Sequence, residues 1–165
     1  MRKFYKISFE ELSKHLKITK EEYEQYPLPK RGTRNSAGYD FHFLKGITIN
    51  PGETKKIPTG IKAQMNPGEV LLIFIRSSLG TKHHIVLSNQ TGIIDSDYFE
   101  NEDNEGHIFI VIQNNGDTPQ TFKKYDRFAQ GIFINYLKTD DDDIKETRKG
   151  GFGSTTRKEW LICHT

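Results

Sequence analysis

Val70-Leu71-Leu72-Ile73-Phe74-Ile75, entered from Asn66-Pro67-Gly68 and left through Arg76-Ser77-Ser78-Leu79-Gly80, decides how this chain is read. Six apolar residues in a row are far fewer than the roughly 20 needed to cross a membrane, and they suit a strongly buried strand. The proline–glycine turn before them is repeated at Asn50-Pro51-Gly52, where a fixed proline dihedral again adjoins a glycine free to take positive φ. Between the two turns, Ile61, Ala63 and Met65 alternate with Lys62 and Gln64, the period of a half-buried strand. Further strands are expected at Ile85 to Leu87, Ile108 to Ile112 and Phe128 to Ile134, with another turn at Asn114-Asn115-Gly116-Asp117. No helix of ordinary length is evident between Gly32 and Leu137, so the crossover helices of a βαβ fold have no source. The expectation is an all-β sandwich or barrel.

The 165 residues suffice for one compact domain that buries roughly 70% of its unfolded surface without staples. Lys and Arg number 24 against 22 Asp and Glu, a formal charge of +2. That balance is unlike a basic nucleic-acid coat, and no stable nucleic-acid complex is expected. The single cysteine, Cys163, excludes an internal disulfide framework and any paired-cysteine site. Met1-Arg2-Lys3-Phe4-Tyr5-Lys6 is basic but leads into no apolar run, so no signal peptide or membrane span is read and a cytoplasmic location is expected.

Residues 1–27 read as a short helical appendage. Ser8-Phe9-Glu10-Glu11 is a capping box, Ile7 and Leu12 suit a hydrophobic staple, and Phe9, Leu12 and Leu16 share a helical face with His15 beside it. Thr19-Lys20-Glu21-Glu22 repeats the cap before Tyr23 and Tyr26. Residues 28–139 form the expected β core, and residues 140–165 an acidic linker, a glycine-rich arm and a terminal tail. The run Asp140 to Asp143 reads as a hydrated loop, because four adjacent carboxylates repel one another and cannot all face one ion.

Three polar stretches carry the chemistry. In the first, the Arg76 fork, the Ser77 and Ser78 hydroxyls and adjacent amides can complete a phosphate cradle at the end of the apolar run. In the second, Asn89 through Tyr98, Gly92 is read as turning a hairpin whose backbone can meet a planar base. Asp95 and Asp97 share one face there if the chain is extended, and either can activate water or attract a cation. The third, Thr147 through Thr156, sets three glycines around Phe152, so the chain can fold over a flat ligand while Ser154, Thr155 and Arg148 hold phosphate oxygens. The histidines suggest no zinc centre: His83 and His84 are adjacent in a turn, and His42 and His107 are isolated. Unaided, these residues describe a β protein that binds a phosphorylated ligand, and they leave the ligand open.

In order and spacing, these patches resemble the five motifs of the homotrimeric dUTP diphosphatases (dUTPases) of bacterial or bacteriophage type. Ala37-Gly38-Tyr39-Asp40-Phe41 resembles the first, Arg76 to Gly80 the second and Asn89 to Tyr98 the third. Arg127-Phe128-Ala129-Gln130 resembles the fourth, and Gly150 to Thr155, preceded by Arg148, the fifth. Two features depart from the pattern. Thr156 stands where a glycine is common, and Phe99 to Gly106 replaces a shorter turn after the motif tyrosine.

The resemblance implies a jelly-roll-like β-barrel with a mobile C-terminal arm, assembled as a homotrimer with active sites shared between subunits. It also implies hydrolysis of dUTP to dUMP and pyrophosphate, which limits uracil in DNA and supplies dUMP. By the same resemblance Asp95 is the base for water and Gln130 positions water or an α-phosphate oxygen. Arg76, Ser77, Ser78 and Gly80 hold phosphate, while Asn89, Gly92 and Ile94 receive uracil and Tyr98 lies against deoxyribose. Arg148, Phe152, Gly153, Ser154 and Thr155 close over the nucleotide, and Asp40 meets Mg²⁺ through water. The implied setting is the cytoplasm of a bacterium or a phage-infected host, with a regulatory protein partner left open. Two alternatives stand beside this: a catalytically weak or inactive nucleotide-binding regulator on the same fold, and a dCTP deaminase.

Overall fold

The computed structural model describes residues 1–146, 148 and 150. The strands are β1 (Lys3–Lys6), β2 (Lys30–Arg31), β3 (Tyr39–His42), β4 (Ile47–Ile49), β5 (Thr54–Pro58), β6 (Ile61–Gln64), β7 (Glu69–Ile75), β8 (Ile85–Leu87), β9 (Gly92–Asp95), β10 (Phe109–Asn114), β11 (Gln120–Phe122) and β12 (Arg127–Asn135). Three short helices, α1 (Phe9–Ser13), α2 (Lys20–Gln25) and α3 (Ser77–His83), accompany them. No helix among the described residues is long and apolar enough to cross a membrane.

All strand pairing is antiparallel. A five-stranded sheet runs β2-β3-β12-β7-β9 and a three-stranded sheet runs β5-β10-β8, with the pairs β1-β6 and β11-β4 beside them. None of these sheets closes on itself, so the expected jelly-roll-like barrel is corrected to a set of open antiparallel sheets with three helices. The reason lies at Ser88–Thr91, where the chain leaves one sheet for another: β8 pairs with β10, whereas the next strand, β9, pairs with β7. Closure needs every strand paired on both sides, and β8 and β9 each end a sheet.

The long strand β7 is the axis. Its Val70, Leu71 and Ile73 are buried, β12 pairs along it from Glu69 to Ile75, and β9 pairs from Val70 to Ile73. At Gly131 on β12, an added Cβ would lie 2.9 Å from Leu71 and 3.1 Å from Phe41, so only glycine lets these neighbours close.

The N-terminal residues are built into this core. Strand β1, which helix signals alone do not reveal, pairs with β6 from Lys3↔Gln64 to Lys6↔Ile61. Phe4 packs against Tyr39, Phe41 and Phe133, with ring centroids 5.3, 5.8 and 5.3 Å away. Ile7 and Leu12 are both fully buried, as a staple requires. The first capping box forms only by half: the Ser8 hydroxyl accepts the Glu11 N–H at 3.1 Å, but the Ser8 N–H donates to Glu105 at 2.9 Å. The second box, Thr19 with Glu22, is complete. Glu22 also takes ammonium hydrogen bonds from Lys45 and Lys124, which pull its carboxyl down to about 2.

His107 is fully buried and its Nε2 accepts the Gly60 N–H at 3.0 Å. Burial, helped by nearby His15 and Lys56, pushes its imidazole down to about 3. The folded chain therefore holds His107 neutral, whereas the unfolded chain protonates it near pH 6.5. Stability from this residue is full above pH 6.5 and lost as pH falls toward 3, by about 1.4 kcal/mol per pH unit. Denaturant unfolding from pH 7 to 4.5 is expected to show a shallower acid slope in His107→Gln than in the natural chain. Equal slopes would contradict this account.

Candidate functional site

The first polar cluster stands where β7 ends. Arg76 follows the strand, its backbone N–H donates to Phe128 O at 3.0 Å, and α3 begins at Ser77. Ser77 and Ser78 thus occupy the first turn of a short helix, where amides are free of intrahelical partners. Gly80 lies inside α3, and a Cβ added to it would meet its nearest outside neighbour, Ile75, at an ordinary 3.7 Å, so space alone does not demand glycine there.

Asp40, buried on β3, receives Arg76 Nε at 2.9 Å on one oxygen and Arg127 Nη1 at 3.1 Å on the other. Gln130 sits directly across from Asp40 in the β3–β12 register. Its side chain lies over Gly38, where an added Cβ would come within 2.4 Å of Oε1 and 3.1 Å of the Gln130 Cβ. Two guanidinium groups around one carboxylate leave a net positive corner, with the glutamine at its side.

The second cluster belongs to β9. Gly92 does not turn a hairpin, as the sequence reading has it. It opens β9, because an added Cβ would stand 3.0 Å from that of Ile73 on β7. The turn itself is at residues 88–91, with Gln90 at φ 64°. The unpaired edges of β8 and β9 border a cleft of about 60 Å³ lined by Asn89, Gly92, Ile93, Ile94, Leu87 and Phe109, among others. A free strand edge presents N–H and C=O groups in alternation. Such an edge can pair with the rim of a flat heterocycle.

Asp95 ends β9, and Tyr98 closes the 3-10 turn after it with its side chain buried. Arg148 lies across both: Nη2 is 2.8 Å from Asp95, the backbone N–H donates to Asp97 at 3.0 Å, and the guanidinium carbon is 5.7 Å from the Tyr98 ring centre. The arm's arginine is thus found on the carboxylates rather than beside Arg76. Phe152, Gly153, Ser154 and Thr155 lie outside the described residues.

The two clusters do not meet within one chain. Asp95 is opposite Val70 and Gln130 is opposite Phe74, while Arg76 lies beyond Ile75. Val70 and Arg76 are six residues apart on an extended strand, about 20 Å at the usual rise. Arg127 escaped the sequence-based site set, although it heads the Arg-Phe-Ala-Gln stretch; its partnership with Asp40 exists only through strand register. Asn101 and Asn104, which hold Tyr98, carry no motif signal at all.

Glu11, His15 and His107 place ligand atoms within 4.8 Å of one another, a potential metal-coordinating group that the histidine spacing did not foretell. Its chemistry is unlike a magnesium site, which takes oxygen ligands and keeps waters. Because His107 Nε2 accepts from Gly60, the neutral ring carries its proton on Nδ1, a buried atom without a hydrogen-bond partner. A ligating histidine normally donates its other nitrogen instead. Asp40 fits magnesium differently: a carboxylate has about four acceptor positions, and the arginines use two. What remains can accept from metal-bound water.

A strand edge for a planar ring and an arginine-rich corner for an anion define a nucleotide-binding β protein. The comparisons with known proteins narrow this class. The dUTPase family profile matches residues 24–156. The deoxyuridine 5'-triphosphate nucleotidohydrolase of Lactococcus lactis is 46% identical over 140 residues, covering 84% of this chain and 93% of that protein. The crystal structure of dUTPase from Streptococcus mutans superposes with a TM-score of 0.68 at 38% identity, covering 83% of this chain and 98% of that one. A mutant dUTPase from phage phi11 of S. aureus, whose structure details the coordination of a structural Mg(II) ion, shares the fold at 20% identity and a TM-score of 0.64, over 88% and 97% of the two chains. This chain belongs to the dUTPase family.

Gly38→Ala is expected to turn the Gln130 side chain away while costing no more than about 1–3 kcal/mol, since the nearest atom is the far end of a flexible group. A crystal structure of the variant beside its unfolding curve checks both. An unmoved Gln130 would contradict the steric reading.

Proposed function

We propose that the chain hydrolyses dUTP to dUMP and pyrophosphate as a homotrimer whose active sites are shared between subunits. The observation that carries the reading is the pair of clusters about 20 Å apart on β7. A triphosphate cannot use both in one chain, so a second copy must bring its Arg76 corner to the Asp95 of the first. The relatives' deoxyuridine triphosphate specificity and the family's five motifs supply the substrate.

The β9 edge and the Asn89 amide read uracil's alternating acceptors and donor, and the narrow cleft rejects a methyl group on the ring. Tyr98 lies against deoxyribose and leaves no space for a 2′-hydroxyl, so a ribonucleotide meets both a clash and an unsatisfied polar group. A water placed on the α-phosphorus attacks in line: its oxygen bonds to that phosphorus, the bond to the bridging oxygen breaks, and pyrophosphate leaves. Asp95 takes the water's proton. Gln130 orients the water or an α-phosphate oxygen.

Arg76 and the amides and hydroxyls of Ser77 and Ser78 meet the charge that gathers on the leaving group. Arg148 exchanges the Asp95 carboxylate for phosphate oxygens, which frees the base when substrate is present. Phe152 stacks on uracil as the arm closes, with Gly153, Ser154 and Thr155 over the phosphates. Mg²⁺, when bound, neutralises the triphosphate, and Asp40 would hold it through its waters.

A panel of dUTP, dTTP, dCTP and UTP, with and without Mg²⁺, should release pyrophosphate from dUTP alone; ammonia from dCTP would reject the reading in favour of a deaminase. Asp95→Asn should keep nucleotide binding and lose about 10²–10⁴-fold in turnover. Mixing Asp95→Asn with Arg76→Ala chains, each inactive alone, should restore about a quarter of the sites if they are shared between neighbours. No recovery after subunit exchange would place both residues' work within one chain.

A further inference from the structure

Tyr98 is anchored at its hydroxyl. Its hydroxyl donates to His107 O at 2.9 Å and accepts from Asn104 Nδ2 at 2.9 Å. Asn104 is fixed in turn, its Oδ1 accepting from Asn101 Nδ2 at 2.8 Å and from the Gly106 N–H at 3.1 Å. Asn101, buried, donates to Tyr98 O at 2.8 Å and accepts the amides of Asp103 and Asn104. Burial raises the Tyr98 hydroxyl above its usual range, so it stays a neutral donor.

The loop that carries these asparagines is closed tightly. Glu100, Glu105 and Gly106 all have left-handed φ, at 56°, 59° and 86°. A Cβ on Gly106 would stand 2.7 Å from Tyr98 O, so only glycine fits there. From outside, Lys62 pairs with Glu100 at 2.7 Å, and Glu105 accepts from the Ser8 N–H and hydroxyl. Backbone strain of this kind persists only where its surroundings hold it. The longer turn after the motif tyrosine is therefore a clamp on that tyrosine.

We propose that Asn104, held by Asn101, is a positioning residue that fixes the Tyr98 ring and so sets rejection of ribonucleotides. The inference rests on the reading of Tyr98 as the wall against deoxyribose. A ring whose hydroxyl is held by both His107 O and Asn104 is kept from tilting to admit a 2′-hydroxyl, whereas a ring whose hydroxyl is held by His107 O alone has more freedom to tilt.

The test is the ratio of kcat/KM for dUTP to that for UTP. Asn104→Ala is expected to lower this ratio about three- to tenfold, the worth of one neutral hydrogen bond. In a Tyr98→Phe background the same change should move the ratio by less than about twofold, because the hydroxyl through which Asn104 acts is gone. An unchanged ratio in Asn104→Ala overturns the proposal, and so does an equal fall in both backgrounds, which would mean general loosening of the loop. Should Asn104→Ala not fold, Asn104→Ser, which loses the amide donor to Tyr98 without adding a charge, takes the same measurement. If the natural chain binds nucleotide without turning over dUTP, the hydrolytic reading fails by itself, and the dUTP-to-UTP ratio of Kd values decides the clamp.

Discussion

Burial of β7 between β12 and β9 is the constraint from which both polar clusters hang. Its apolar side chains fill the core on both faces, so a slip of one residue would exchange the side chains between faces and disturb their packing, and its register against each neighbour is fixed. That fixed register sets Gln130 beside Phe74 and Asp95 beside Val70. It also dictates that Arg76 emerges at one end of the strand and the Asp95 carboxylate at the other. The separation of the clusters is thus a result of packing, and the proposal of a shared site rests on it.

Much of this could be read from the residues. The run Val70 to Ile75 is a strand with much of its length buried, as expected, while Ser77 and Ser78, read as a loop, open a short helix after Arg76. Strand positions at Ile85 to Leu87 and along Phe128 to Ile134 agree with the structure as well. What could not be read depends on which strands meet. The alternation of β6 gives no hint that Lys3 to Lys6 pairs with it, since a four-residue basic stretch has little periodicity of its own. The turn at residues 88–91 looks like a hairpin locally, and only the choice of partners, β10 for β8 and β7 for β9, shows that it crosses between sheets and leaves no closed barrel. Arg127 and Asn104 act through register and loop closure, and neither is written in local spacing.

Charge is arranged differently in the two clusters. Asp40 is enclosed by two guanidinium groups, and together they leave positive charge for an anion. Asp95 and Asp97 face a single arginine that arrives from the far end of the described chain. The first arrangement is built where strands end; the second joins β9 and the turn after it to Arg148, far along the chain.

The two open strand edges at the cleft carry a liability along with their use. Backbone groups left unpaired to read a ring are equally able to recruit a strand from any passing polypeptide, the first step toward aggregates. Here β8 has three residues and β9 four, too few to template a stable ladder, although Ile93 is 65% exposed beside them. Brevity is what keeps these edges from pairing with other chains. A longer strand at either position would gain nothing for a ring one pyrimidine wide, and it would make the protein sticky toward other chains.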